Sequence, residues 1–174
     1  MALELSDIMK SSLQQSLGAF IEILKKAETY AADKNIDESV LLETRIYPDM
    51  FPMKWQLQMI TEFLMRGMAR LSGASGDGLP SMPFEEQSFG ELIARLEKTL
   101  QDMQSFDDDV LNTATDKVIE LPFGPGRTLT VTGREYVLKL FLPNLYFHVT
   151  TAYNLLRQSG VEIGKLDYLG SLDI

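Results

Sequence analysis

The chain has 174 residues, 45% hydrophobic and 24% charged, with a formal net charge of −9 and no cysteine. That balance suits one globular domain over 1–174 and excludes a disordered chain, a disulfide scaffold, a thiolate metal site and a cysteine nucleophile. Lysines and arginines are scattered, Lys25-Lys26 being the only adjacent pair, so no basic stripe is available to neutralise phosphates and nucleic acid is not an expected partner.

The opening MALELSDIMK lacks the basic region, apolar core and small-residue cleavage site of a signal peptide. The best candidate for a membrane span, Leu140–Leu156, carries no charge but is broken by Pro143, Asn144, His148, Thr150, Thr151 and Asn154. It falls short of the roughly 20 apolar residues a span requires. The expectation is a cytoplasmic protein with no membrane partner.

In chain order, Ser6 is placed to cap a first helix from about Asp7. Its apolar stripe is Ile8, Leu13, Leu17, Phe20, Ile21, Leu24 and Ala27, and Asn35 stands where it should end. Asp37 reads as the cap of a short turn through Glu43. Prolines 48 and 52 constrain the next connection, with Pro52 suited to the first position of helix two. Trp55, Met59, Ile60, Phe63, Gly67, Met68 and Leu71 mark that helix's inner face, with Gly67 a point of close packing and Gly73 the end.

Residues 72–87 are dense in Gly, Ser and Pro and read as a flexible loop. Gly76 and Gly78 begin no phosphate-binding fingerprint, and Ser75 lacks the glycine spacing of a nucleophile elbow. Ser88 and Glu91 have capping-box spacing at the start of helix three, whose apolar face is Phe89, Leu92, Ile93, Leu96, Leu100 and Met103. Asp107, Asp108 and Asp109 lack the alternation and distal glutamate of a calcium loop and read as a solvated capping cluster. Lys117–Phe123 and Arg127–Val131 read as a hairpin about Gly124-Pro125-Gly126, with Val118, Leu121, Leu129 and Val131 turned inward.

Thr132 and Glu135 form a second capping box and open the longest helical pattern, through Ser159, with Gly160 as its stop. Pro143 should kink it by removing a donor and crowding the Lys139 carbonyl. Four strong helices and a small hairpin make a mainly α protein, a four-helix bundle, whose sites are built between helices. The last helix holds the only histidine, His148, with Asn144 four residues earlier on the same face. Asn144, Thr151 and Gln56 are candidates to satisfy its ring, and Tyr146, Phe147 and Tyr153 read as core. No serine has the setting of a Ser-His-Asp nucleophile.

Three segments resemble a known family: Tyr47-Pro-Asp-Met-Phe-Pro52 with Gln56 and Gln58, the Glu120-LPFGPGRTLTVTG133 hairpin, and Leu142-PNLYFHVTTAYNLLRQSG160 with the trailing Gly164–Gly170. Together they resemble the bacterial domain-of-unknown-function family nineteen-ninety-three, which lies near the DinB/YfiT-like superfamily of four-helix bundles. The resemblance implies that fold and a homodimer. Many DinB-like members are described as metalloenzymes that use one histidine on helix two and two, four residues apart, on helix four. Asn144 and His148 hold the four-residue spacing and Gln56 lies in roughly the helix-two region, so only one imidazole remains. Neutral amides are poor donors to a transition metal. The expectation is therefore a candidate pocket at Gln56, Asn144 and His148 for a small molecule or protein partner, with no catalytic residue assigned and no cofactor. The alternatives are a divergent enzyme, dependent on a divalent metal or a thiol cosubstrate, and a purely structural dimer.

Overall fold

The computed structural model describes residues 3–75 and 78–171. Gly76 of the glycine-rich loop and the last three residues of the tail lie outside the described residues. Eight α-helices and one hairpin are found among them: α1 (Leu5–Lys34), α2 (Glu38–Leu42), α3 (Met53–Leu71), α4 (Phe89–Met103), α5 (Asp108–Thr113), β1 (Val118–Pro122), β2 (Thr128–Thr132), α6 (Gly133–Tyr136), α7 (Leu142–Gln158) and α8 (Lys165–Leu169). Helix α1 packs on α4 and α7, and α3 packs on the same two. The four long helices thus form a square with α1 and α3 on one diagonal. Met9, Leu13, Leu17, Phe20 and Leu24 of α1 meet Leu57, Ile60, Leu64 and Met68 of α3, Leu92 and Leu96 of α4, and Leu145, Val149, Ala152 and Leu155 of α7 in one core. No helix among the described residues is long and apolar enough to cross a membrane.

Helix boundaries differ from the expected ones where a cap comes from elsewhere in the fold. Ser6 is not a cap: α1 starts at Leu5, and the Ser6 N–H donates to Asn112 Oδ1 of α5 at 2.9 Å. Asn35 does end α1, in the left-handed conformation at φ 53°. Asp37 caps α2 through the Ser39 N–H. Pro52 lies one position earlier than expected, at the N-cap of α3. Ser88 Oγ accepts from the Glu91 N–H, but the Glu91 carboxylate takes the Gln87 N–H, so half the expected box forms. A further free donor of the first turn, Phe89 N–H, goes to Glu38 of α2 at 2.7 Å. Asp107 caps α5, and Asp108 pairs with Lys10.

The hairpin pairs Val118 with Thr132 and Leu121 with Leu129 in antiparallel register. Val118 was expected inward, yet it is exposed while Ile119 and Leu121 are buried. Strand alternation explains this: residues three apart face opposite sides, so Val118 and Leu121 cannot both point in. The capping box at Thr132 and Glu135 forms in both directions. Pro143 produces no simple kink. Instead Val137–Phe141 widens into a π turn, with Leu142 N–H bonded to Val137 O, and the proline falls in the first turn of α7. One inserted residue frees the backbone around the ring where an α turn would clash.

Trp55, Met59 and Phe63 of α3 and Ile93 and Leu100 of α4 are half-buried, at the edges of the expected faces. Gly67 is fully packed, since a Cβ there would stand 2.8 Å from Tyr136 Oη and 3.0 Å from Phe141 Cδ2. Tyr146 and Phe147, expected in the core, are 44% and 55% exposed. At 100° per residue they fall on the outer side of a helix whose inner side is taken by Leu145, His148 and Val149.

Candidate functional site

Helices α3 and α7 lie side by side, and their contact brings Gln56 to His148 across 92 residues of sequence. Gln56 is 2% exposed and His148 8%. Gln56 Oε1 lies 2.8 Å from His148 Nδ1, while Gln56 Nε2 donates to the Phe51 carbonyl at 2.8 Å. The second bond fixes the first. The amide nitrogen is committed to a carbonyl, so its oxygen faces the imidazole, and Nδ1 must carry the proton. Burial lowers the His148 pKa below its ordinary value, favouring the neutral ring. Nε2 is left with a lone pair and no hydrogen bond among the described residues. The edge of the Phe147 ring stands 5.2 Å away, centroid to centroid, at 86°.

Asn144 does not join this pair. Its Nδ2 donates to Leu140 O at 2.7 Å, serving the backbone where the π turn and Pro143 interrupt the helix. Thr151 Oγ1 likewise donates to Phe147 O at 2.7 Å. Of the residues expected to hold the ring, Gln56 alone does so among the described ones. Five hollows in the described surface are lined by other residues, and Gln56 meets His148 in the α3–α7 seam.

The donor set does not fit the metal that the fold suggests. Nδ1 is protonated and engaged, Asn144 and Gln56 are committed amides, and a single lone pair at Nε2 remains. Among the described residues no three His, Cys, Asp or Glu side chains gather.

A second polar cluster escaped the sequence reading. Arg95, 6% exposed, lies within the apolar face of α4. It donates to Thr61 Oγ1 at 2.6 Å, Gln58 O at 2.9 Å, Met82 O at 3.2 Å, Pro83 O at 2.7 Å and Glu86 Oε1 at 2.8 Å. Its guanidinium also stands 5.5 Å from the Phe84 ring centroid. Burial tends to raise the Glu86 pKa, but Arg95 and the Gln58 amide outweigh it and hold the carboxyl below its ordinary value. Beside it, Lys54 reaches Glu43 at 2.6 Å and Gln87 Oε1 at 2.7 Å. Residues 82–87, read as part of a flexible loop, are therefore tied to α3 and α4. The signal was present: an arginine between Leu92, Leu96 and Thr99, at positions that turn inward. Every Arg95 donor is used, so the guanidinium holds structure in place, while the buried Gln58 Oε1 has no hydrogen-bond partner among the described residues.

A solved structure of a DinB family member protein from Shewanella denitrificans is similar to this chain at 35% identity and a TM-score of 0.87, covering 98% of this chain and 94% of that one. No match was found among curated proteins. The family model described as Domain of unknown function (DUF1993) matches residues 5–169, and the chain belongs to that family.

Proposed function

We propose that this protein is a non-catalytic binding module that receives a small molecule at the α3–α7 seam, with His148 Nε2 accepting from an N–H or O–H of the ligand. One observation carries the reading: Gln56 anchors Nδ1–H while burial disfavours the charged ring, which leaves a fixed, neutral acceptor. Exposed Phe147 beside it offers a flat apolar contact. Ligand-observed NMR with a fragment library tests this on the full chain. Fragments bearing N–H donors should bind the native protein and fail to bind His148→Phe, while the variant keeps a near-native unfolding midpoint. Equal binding to both proteins would defeat the proposal. Elemental analysis of untagged protein belongs beside it, because stoichiometric zinc, nickel, iron or manganese would restore the metal-dependent reading.

A second reading, a homodimer, draws support from the charge-free stretch Leu140–Leu156, which turns Tyr146 and Phe147 to the surface. Copies of a chain with net charge −9 meet most easily where neither presents charge. Sedimentation of native protein and of Phe147→Glu should show a dimer weakened by the substitution. A monomer at all native concentrations would remove this reading.

A further inference from the structure

Between the end of α3 and β1 lies a hollow of about 320 Å³, lined in part by Arg66, Arg70, Ser75, Lys117 and Glu120. We propose that it is an anion site for a small oxyanion, a phosphate or carboxylate group, held by Arg66, Arg70 and Lys117. Arg66 and Arg70 are four residues apart and so share one face of α3. The hairpin brings Lys117 to the same place from the opposite side.

Elsewhere, the buried or nearly buried cations are answered: Lys10 by Asp108, Lys54 by Glu43 and Arg95 by Glu86. Here Arg70 and Lys117 have no ion pair among the described residues, and Arg66 has Glu62 at 3.2 Å, outside the hollow. Among the described residues, three cations and one carboxylate line the space, a local excess of positive charge on a chain of net charge −9. The C-terminal pole of α3 opposes an anion, but it amounts to only about half an elementary charge. Two guanidinium forks and an ammonium match the oxygens of one oxyanion.

The volume lies at the lower end of small-molecule sites, so the anion should carry only a small body.

The test is an NMR titration of the full, isotope-labelled chain with inorganic phosphate and, separately, with malonate. Saturable shifts are expected at the amides of Gly73, Ala74 and Lys117–Glu120. Response to phosphate, to malonate or to both supports the site and tells which source of oxyanion it takes. Arg70→Gln and Lys117→Gln should each weaken binding at least about tenfold, as loss of a charged hydrogen bond predicts. Arg127→Gln, at the exposed hairpin tip, should leave it unchanged. Lys117 is exposed, so its variant tests the site even if Arg70→Gln unfolds. No saturable shift with either anion, or equal weakening by Arg127→Gln, would overturn the proposal.

Discussion

Replacing Arg95 by methionine keeps a long apolar stem and removes every donor of the guanidinium. The Arg95 side chain is 4% exposed and that of Glu86 17%, so the substitution leaves a largely buried carboxylate without its cation. It also strips the Gln58, Met82 and Pro83 carbonyls of a partner. Breaking a buried pair by removing one member typically costs about 3–5 kcal/mol. Glu86 retains some solvent and the Gln58 amide at 2.8 Å, which places the expected loss near the lower end, about 3 kcal/mol. For a chain of this length that corresponds to a fall of roughly 6–12 °C in Tm. Urea unfolding at neutral pH measures it, and hydrogen exchange should show residues 82–87 opening faster. Because the folded Glu86 pKa is lowered, the pair's contribution is present above the ordinary carboxylate value and lost as pH falls through the folded one. The difference between native and variant should therefore shrink in acid. Adding Glu86→Leu should recover much of the loss, since an apolar replacement leaves no stranded charge. A loss below about 1 kcal/mol for Arg95→Met, or no recovery in the double variant, would refute the assignment of the loop's order to this ion pair.

Three further outcomes follow from local geometry. Gly67→Ala should destabilise by about 1–2 kcal/mol in urea unfolding: the helix gains about 1 kcal/mol in propensity, but the new methyl meets Tyr136 and Phe141, both fully buried. A gain in stability would contradict that packing. His148 should titrate below its ordinary value by NMR, so unfolded chains bind its proton first and stability falls as pH drops from the unfolded pKa towards the folded one. Gln56→Glu places a carboxylate on Nδ1–H and should raise that pKa, and an unmoved titration would show the two side chains apart in solution. Glu135 is held down to about 2, by Lys139 first and then by the Thr132 N–H. Its stabilising effect is thus present above the ordinary carboxylate value and lost as pH falls towards 2, and Lys139→Ala should raise the measured pKa.

Helices, turns and most of the core were legible because they depend on neighbours in sequence. The stripe from Leu13 to Ala27, the cap at Asp37, the stop at Asn35 and the box at Thr132 all rest on spacings of a few residues. What was misread depends on partners far away. Ser6 has the chemistry of a cap, yet Asn112 supplies the bond because α5 docks against the start of α1. The loop before α4 has a flexible composition, yet an arginine on α4 orders its second half. Pro143 announces a disruption, and only the fold determines that it becomes a wider turn instead of a kink.

The site shows the same division more sharply. Sequence spacing placed Asn144 and His148 on one face, and the resemblance added Gln56. These three positions could be named without knowing which would touch. Asn144 and Gln56 are both neutral amides, so composition gives no reason to separate them. The backbone around each does. Asn144 stands one turn after a carbonyl of the π turn and donates to it; Gln56 stands five residues after Phe51, whose carbonyl takes its nitrogen and turns its oxygen to the imidazole. That one orientation sets the histidine tautomer, and the tautomer sets whether Nε2 offers a lone pair or a proton. A metal ligand, a base and a recognition group all need that lone pair. A metal centre and an acid–base enzyme need further groups around it. Among the described residues no three such groups gather, and the Phe147 ring packs edge-on with the imidazole.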